Sequence, residues 1–208
     1  MAQSTRPPAL ILAGGLSRRM GIDKAQIRIG DTPLALWVAR RLDAQVCGVS
    51  LNAPTEHPLA AHIRVIPDSR PDRPGPLAGV LAGLRAFSKA GDGPTHLLTT
   101  PCDTPFLPTD LVERLTQEAV AGTIVMAASA GRAHPITALW PLSLGDDLER
   151  WLEHPDHRRV FDFIARHPSE TVDFPMSEEP TGPVDPFFNV NTPEDLAFAR
   201  SIVERGAP

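Results

Sequence analysis

Tyrosine is absent from this chain of 208 residues, and cysteine occurs only twice, as Cys47 and Cys102. There is no C-x-x-C pair, so neither a zinc site nor a disulfide framework is suggested, and a reducing compartment fits better. No apolar run approaches the length of a bilayer span, so no membrane association is expected. Residues 1–8 are polar and proline-bearing, without the apolar stretch of a secretory leader; the chain therefore reads as cytoplasmic. Basic clusters are missing as well. The 20 Lys and Arg stand against 25 Asp and Glu, a net charge of −5, and no basic run reaches five residues. That balance argues against nucleic acid as a partner. It leaves room for a small anion, which needs only a few well-placed cations. An acidic protein that binds phosphates is then expected to use a divalent cation. The 23 prolines cluster at 67–76, 101–108 and 175–193 and punctuate loops, with no internal repeat.

What is present begins at residues 9–24. A short apolar run, 9–13, has the length of a buried strand and feeds into Gly14 and Gly15, then Ser17, Arg18, Arg19, Gly21 and Lys24. Glycines at the carboxyl end of a strand allow close backbone approach, and exposed N–H groups with nearby cations suit a phosphate. The spacing matches neither G-x-x-x-x-G-K-[ST] nor G-x-G-x-x-G. Read generically, a glycine turn beside a solvated charged loop is the favoured alternative.

Further along, the pattern alternates. Short strands are expected at 25–29, 46–51, 64–66, 96–99 and 123–128. Helices are expected at 33–44, with Thr32 as N-cap and Pro33 in the first turn, at 80–90, and from Asp110 to about residue 120 with an Asp110/Glu113 capping box. Residues 57–62 suggest one further short helix. This is the order of a doubly wound sheet, whose ligands bind beyond the carboxyl ends of the strands. Gly14, Asn52, Asp68 and Asp103 all fall at such ends. The last third reads as a hairpin turn at 131–134, a strand at 135–140, helices at 144–153 and 159–166, an edge strand at 171–174 and an acidic, proline-rich loop at 176–186. A short apolar segment and a final helix opened by Thr192, Pro193 and Asp195 complete it. The length suits one α/β domain over 1–208, with 1–7 as a loose tail.

The string Leu-Ala-Gly-Gly-x-Ser-Arg-Arg-Met-Gly-x-Asp-Lys at 12–24 resembles the signature of the molybdenum cofactor guanylyltransferases, the MobA family of nucleotidyltransferases. Three downstream strings extend the resemblance: Gly75-Pro76-Leu77-Ala78-Gly79 with Asp68, Pro101-Cys102-Asp103-Thr104-Pro105-Phe106, and Asn189-Val190-Asn191-Thr192-Pro193. The resemblance implies a three-layer Rossmann-like α/β fold with a mostly parallel sheet. It implies transfer of GMP from GTP to molybdenum-molybdopterin with Mg²⁺, releasing pyrophosphate. Molybdoenzyme apo-proteins or their chaperones would be transient partners.

By the same resemblance, Leu12, Ala13 and Gly14 would lie against the guanosine, and Gly15, Ser17, Arg18 and Arg19 against the phosphates. Lys24 would contact the α-phosphate. Asn52 and Asp68 would lie on the guanine–ribose side, and Asp103 would hold Mg²⁺. Lys24, Asp103 and Arg18 would form the catalytic set, and Asn189, Asn191 and His134 would face the pterin. Elementary chemistry agrees. Joining two polyanions is mainly a matter of charge neutralisation and alignment, and the attacking phosphate is already ionised.

By position alone, other readings stay open. Asp103 serves equally as a turn residue between prolines, Asp68 as a turn residue after Pro67, and Asn52 as a loop cap. His134 before Pro135 reads as structural, and Asn189 and Asn191 read as amides on one face of a short strand that bind backbone. Trp37 and Trp151 sit at core spacing, and Cys102 reads as a small buried residue. Three functional alternatives remain: a CTP-using molybdopterin cytidylyltransferase, a sugar-phosphate or other nucleotidylyltransferase, and a non-catalytic nucleotide-binding delivery module.

Overall fold

A computed structural model of the chain describes residues 6–13, 23–69, 75–88, 93–179 and 182–206. Gly14, Gly15, Ser17, Arg18 and Arg19 lie outside the described residues.

The first apolar run forms β1, Ala9–Leu12, buried throughout. A 3-10 turn, Lys24–Gln26, leads to β2, Arg28–Ile29, which pairs antiparallel with β3, Thr32–Pro33. The strand expected over 25–29 is thus half turn. Thr32 is committed to β3, so Pro33 rather than Thr32 stands at the N-cap of α1, Leu34–Asp43, with no side-chain cap. Next come β4, Val49–Asn52, a 3-10 turn at Pro58–Ala61, and β5, Arg64–Ile66. Helix α2, Pro76–Phe87, opens inside the Gly-Pro motif: Gly75 has φ 135°, open only to glycine, and Pro76 occupies the first turn. After β6, His96–Pro101, helix α3 spans Leu111–Gln117. Asp110 is its N-cap, yet its side chain makes no capping bond, so the expected box does not form.

Strand β7, Ile124–Ser129, turns through Ala130 (φ 47°) and Gly131 (φ 75°) into β8, Arg132–Pro141. Positive φ at both central positions is the pattern of a two-residue hairpin. Helices α4, Gly145–Glu153, and α5, Val160–Ile164, precede the edge strand β9, Ser169–Phe174. Where an acidic loop was expected, β10, Ser177–Glu179, pairs antiparallel with β11, Gly182–Val184. The chain closes with α6, Pro193–Gly206. Its start is a working capping box: Asp195 N–H donates to Thr192 Oγ1 at 3.1 Å, and Thr192 N–H donates back to Asp195 Oδ2 at 2.8 Å.

The main sheet has seven strands in the order β5-β4-β1-β6-β8-β7-β9. Only β8 runs against the rest. Period-two alternation divides β1 between two cores. Ala9 and Ile11 pack with Val38 and Leu42 of α1 and Leu111 and Leu115 of α3. Leu10 and Leu12 pack with Val80, Leu81 and Leu84 of α2, Leu148 of α4 and Phe163 of α5. This gives the three layers expected. A third cluster seats Ala199 and Ile202 of α6 on Ile29, Leu34 and Phe106, and so carries the C-terminal segment to the sheet's carboxyl edge.

One irregularity shapes that edge. Met126 pairs with Ala138, but the next residue, Ala127, pairs with His134. Pro135, Ile136 and Thr137 therefore bulge out of β8. Proline has no N–H to give to a ladder, which suits it to a bulge. The last pair between β6 and β8 is Thr99 with Ala138, and beyond it the two strands part.

Two predictions follow from this packing. Fully buried Trp140 donates Nε1–H to Thr99 Oγ1 at 2.8 Å, and Thr99 donates onward to the Ile136 carbonyl at 2.6 Å. Thr99→Val strands the indole N–H and should lower stability by about 1–3 kcal/mol, read as a lower urea midpoint at unchanged slope. Cys102 is buried, and burial, with the neighbouring Asp103 charge, pushes its thiol well above the ordinary range; Cys47 is exposed. A disulfide reagent at neutral pH should titrate one thiol per native chain, Cys47, and the second only in denaturant.

Candidate active site

The parallel register aligns the site. Leu12 of β1 lies level with Asn52 of β4 and Pro101 of β6, and Asn52 lies level with Ile66 of β5. The carboxyl ends of the parallel strands therefore finish at one line, where α/β sheets bind their ligands. Leu12 is buried, and its carbonyl accepts from Cys102 N–H at 3.2 Å. Ala13 donates its N–H to the Asn52 carbonyl at 3.1 Å.

Lys24 and Asp103 meet at the centre of this edge. Lys24 Nζ donates to Asp103 Oδ2 at 3.0 Å and to Asn191 Oδ1 at 2.5 Å. Asn189 Nδ2 donates to Asp103 Oδ1 at 3.0 Å, and Val190 N–H donates to the Asp103 carbonyl at 2.9 Å. Four residues from three distant parts of the chain thus form one polar cluster, with the pair's side chains only 22% and 13% exposed. Asn189 and Asn191 were expected on a short strand, but residues 188–191 have no regular structure. What aligns them is the capping box of α6, which reaches back one residue further: Asn191 N–H donates to Asp195 Oδ2 at 2.9 Å. That bond, with the Thr192 donors, holds Asp195 below its ordinary pKa.

Lys24 is anchored from behind. Asp23 Oδ1 caps the 3-10 turn by accepting from Ala25 N–H at 3.0 Å, and its Oδ2 accepts from Gln26 at 2.8 Å and from His57 Nε2 at 2.6 Å. His57 Nδ1 accepts from Leu59 N–H at 3.2 Å, so the ring proton sits on Nε2. Burial alone would raise Asp23; the hydrogen bonds from Gln26, His57 and Ala25 outweigh it and bring its pKa below the ordinary value. Sequence reasoning missed this brace, because His57 lies 34 residues away with no spacing signal.

On the other flank, Asn52 is buried and gives both amide hydrogens to protein, one to the Ile66 carbonyl at 3.0 Å and one to Asp68 Oδ1 at 2.9 Å. A Cβ at Gly79 would collide with the Asn52 side-chain oxygen and touch Leu12. Glycine there lets the first turns of α2 press Asn52 into place. Asn52 thus orients the half-buried Asp68 carboxylate at the sheet's carboxyl edge.

His134 lies on the far side of Asn189. Where β6 and β8 part, a cavity of about 140 Å³ opens, lined by Pro101, Thr104, His134, Pro135, Phe187 and Asn189 among others. The His134 ring lies 4.6 Å from that of Phe187, centroid to centroid, and Nε2 is 2.8 Å from Ser129 Oγ. Ser129 Oγ donates to Asp185 Oδ1 at 2.7 Å. Burial, the larger effect, holds the imidazole below its ordinary pKa against the pull of Asp185, which leaves it neutral at neutral pH. Trp37 and Trp151 are both half-buried packing residues, Trp37 with its indole N–H on the Ile29 carbonyl at 3.0 Å and Trp151 stacked on His157.

The MobA-like NTP transferase domain family matches this chain over residues 9–171. The chain is 47% identical over 203 residues to a molybdenum cofactor guanylyltransferase of Rhizobium meliloti, covering 96% of this chain and 93% of the relative. Its fold is similar to that of a molybdopterin-guanine dinucleotide biosynthesis protein A from Archaeoglobus fulgidus, with a TM-score of 0.71 at 23% identity over 95% of this chain and 98% of the other. A Mycobacterium tuberculosis protein in complex with manganese has a similar fold too, with a TM-score of 0.63 at 17% identity over 96% of this chain and 99% of that one. With its sheet order, its polar edge and these likenesses in agreement, the chain belongs to the MobA-like NTP transferase family, among the molybdenum cofactor guanylyltransferases.

Proposed function

We propose that this chain transfers GMP from GTP to the terminal phosphate of molybdenum-bound molybdopterin and works as a single nucleotidyltransferase domain over 1–208. The reading rests on one observation above all: Lys24 and Asp103 meet at the sheet's carboxyl edge, between a nucleotide-side flank at Asp68 and a cavity at His134. An oxygen of the molybdopterin phosphate attacks the α-phosphorus of GTP. The bond from that phosphorus to the α–β bridging oxygen breaks, and pyrophosphate leaves with its electron pair. No proton need be removed from the attacking group.

Each residue has a task in this scheme. Leu12, Ala13 and Gly14 receive the guanosine, with Asp68, oriented by Asn52, on the base–ribose side. Gly15, Ser17, Arg18 and Arg19 take the phosphates, and an arginine fork is suited to the departing pyrophosphate. Lys24 places a point charge at the α-phosphate. Asn189, Asn191 and His134 face the pterin.

Asp103 is the residue that would hold Mg²⁺. Among the described residues no three His, Cys, Asp or Glu side chains gather into a metal-holding set. One carboxylate completed by substrate phosphates and water is the habit of Mg²⁺, and each Asp103 oxygen, accepting one hydrogen bond, keeps a lone pair free. The bound ion would supply neutralisation of triphosphate charge. The product is itself a cofactor, so molybdoenzyme apo-proteins or their chaperones are its expected receivers. A reducing, cytoplasmic setting suits the exposed thiol of Cys47.

The test is a transfer assay with purified chain, molybdenum-molybdopterin, GTP and Mg²⁺, expected to yield the guanine dinucleotide cofactor and to favour GTP over competing CTP. Lys24→Ala and Asp103→Ala should each lower turnover by about 10²–10³. A chelator should abolish activity, and added Mg²⁺ should restore it. Near-normal rates in both variants would overturn the mechanism, and preference for CTP would overturn the nucleotide assignment.

A further inference from the structure

Ser129, His134 and Asp185 form a line that resembles a nucleophilic triad and cannot work as one. The Ser129 hydroxyl has a single proton, and it points at Asp185 Oδ1 at 2.7 Å. An ionised carboxylate has no proton to return. The 2.8 Å contact between Ser129 Oγ and His134 Nε2 must then be donated by the imidazole. The serine sits in the middle of the chain, with its proton committed and no base beside it. The direction of the relay has a consequence at the other end of the ring. With the proton on Nε2, Nδ1 carries a lone pair, and it has no hydrogen-bond partner among the described residues.

The surroundings make that lone pair useful. Ser129 is fully buried, Asp185 is locked by accepting Phe187 N–H on the same oxygen at 2.8 Å, and the Phe187 ring lies against the imidazole, tilted by 33°. Two contacts, the Ser129 hydrogen bond and the Phe187 ring, hold the imidazole, which lines a cavity walled by Pro101, Pro135 and Phe187 and by Asn189, itself bonded to Asp103. At about 140 Å³ the space exceeds that of a single water several-fold. A fixed acceptor on a flat, largely apolar wall recognises a flat heterocycle through an N–H or NH₂ edge.

We propose that Ser129 and Asp185 are positioning residues that fix His134 as the Nε2–H tautomer, and that His134 Nδ1 accepts a hydrogen bond from the donor edge of the pterin ring. This rests on the reading that the cavity receives the second substrate. The nucleotide is not involved, so the two substrates should respond differently.

The experiment has a spectroscopic and a kinetic arm. Long-range ¹⁵N–¹H spectra of the full-length protein should show His134 as the Nε2–H tautomer, and Ser129→Ala should shift it toward a mixture. In the transfer assay, Ser129→Ala should raise KM for molybdenum-molybdopterin about tenfold and leave KM for GTP within about twofold. A second series acts on the ring alone. Asn places its side-chain oxygen near the position of Nδ1, whereas Gln reaches only toward Nε2. His134→Asn should therefore retain low KM for the pterin substrate, and His134→Gln and His134→Ala should both lose it. An Nδ1–H tautomer in the wild type, an equal rise in both KM values, or Asn no better than Gln would overturn the proposal. Failure of the wild type to make any dinucleotide would instead remove the underlying assignment, and the spectra would still report the tautomer.

Discussion

The contact on which the site depends is the ion pair between Lys24 and Asp103. It joins the 3-10 turn at Lys24–Gln26 to the turn after β6, and Asn189 and Asn191 fasten the C-terminal segment to the same two groups. A charged pair at a sheet edge adds little to stability by itself, because water competes for both partners. Its value here is positional. Three segments that share no secondary structure converge on one carboxylate and one ammonium.

The supports of that pair come from different layers. Asp23 and His57 brace the lysine from the α1 face of the sheet. The aspartate is held by a backbone bond from Val190, which α6 delivers by packing Ala199 and Ile202 on Ile29 and Leu34. The third cluster thus links the C-terminal helix to the segment just after the 3-10 turn that opens on Lys24. Damage to the α6 interface should reach the Lys24–Asp103 pair without touching either residue.

The sequence carries parts of this clearly and others not at all. The short apolar run of β1 and the βαβ order make the layered sheet readable, because those signals are local. The strings around Lys24, Asp103 and Asn189 make the central cluster readable, because chemistry at a point constrains residue type there. Ser129 and Asp185 are silent: they lie 56 residues apart and meet only through tertiary packing. The one local hint is that Ser129 and His134 flank a tight hairpin, but the bulge that pairs His134 with Ala127 has no sequence signature beyond Pro135. Propensity also misleads in places. Asp110 and Glu113 have capping-box spacing, yet Asp110 does not cap. The acidic, proline-rich stretch near 176–186 folds as a β10–β11 hairpin, with Val184 buried in the third cluster.

Asn52 has spent both amide hydrogens on Ile66 and Asp68, and its oxygen is wedged against Gly79. Positions 52, 68 and 79 therefore act as one mechanical part. A substitution at any one of them disturbs the arrangement that the other two hold, so their effects should not add. Drift at this corner of the sheet edge would then have to pass through concerted changes. A relative carrying a side chain at 79 while keeping Asn52 would have to have rebuilt the way α2 meets β4.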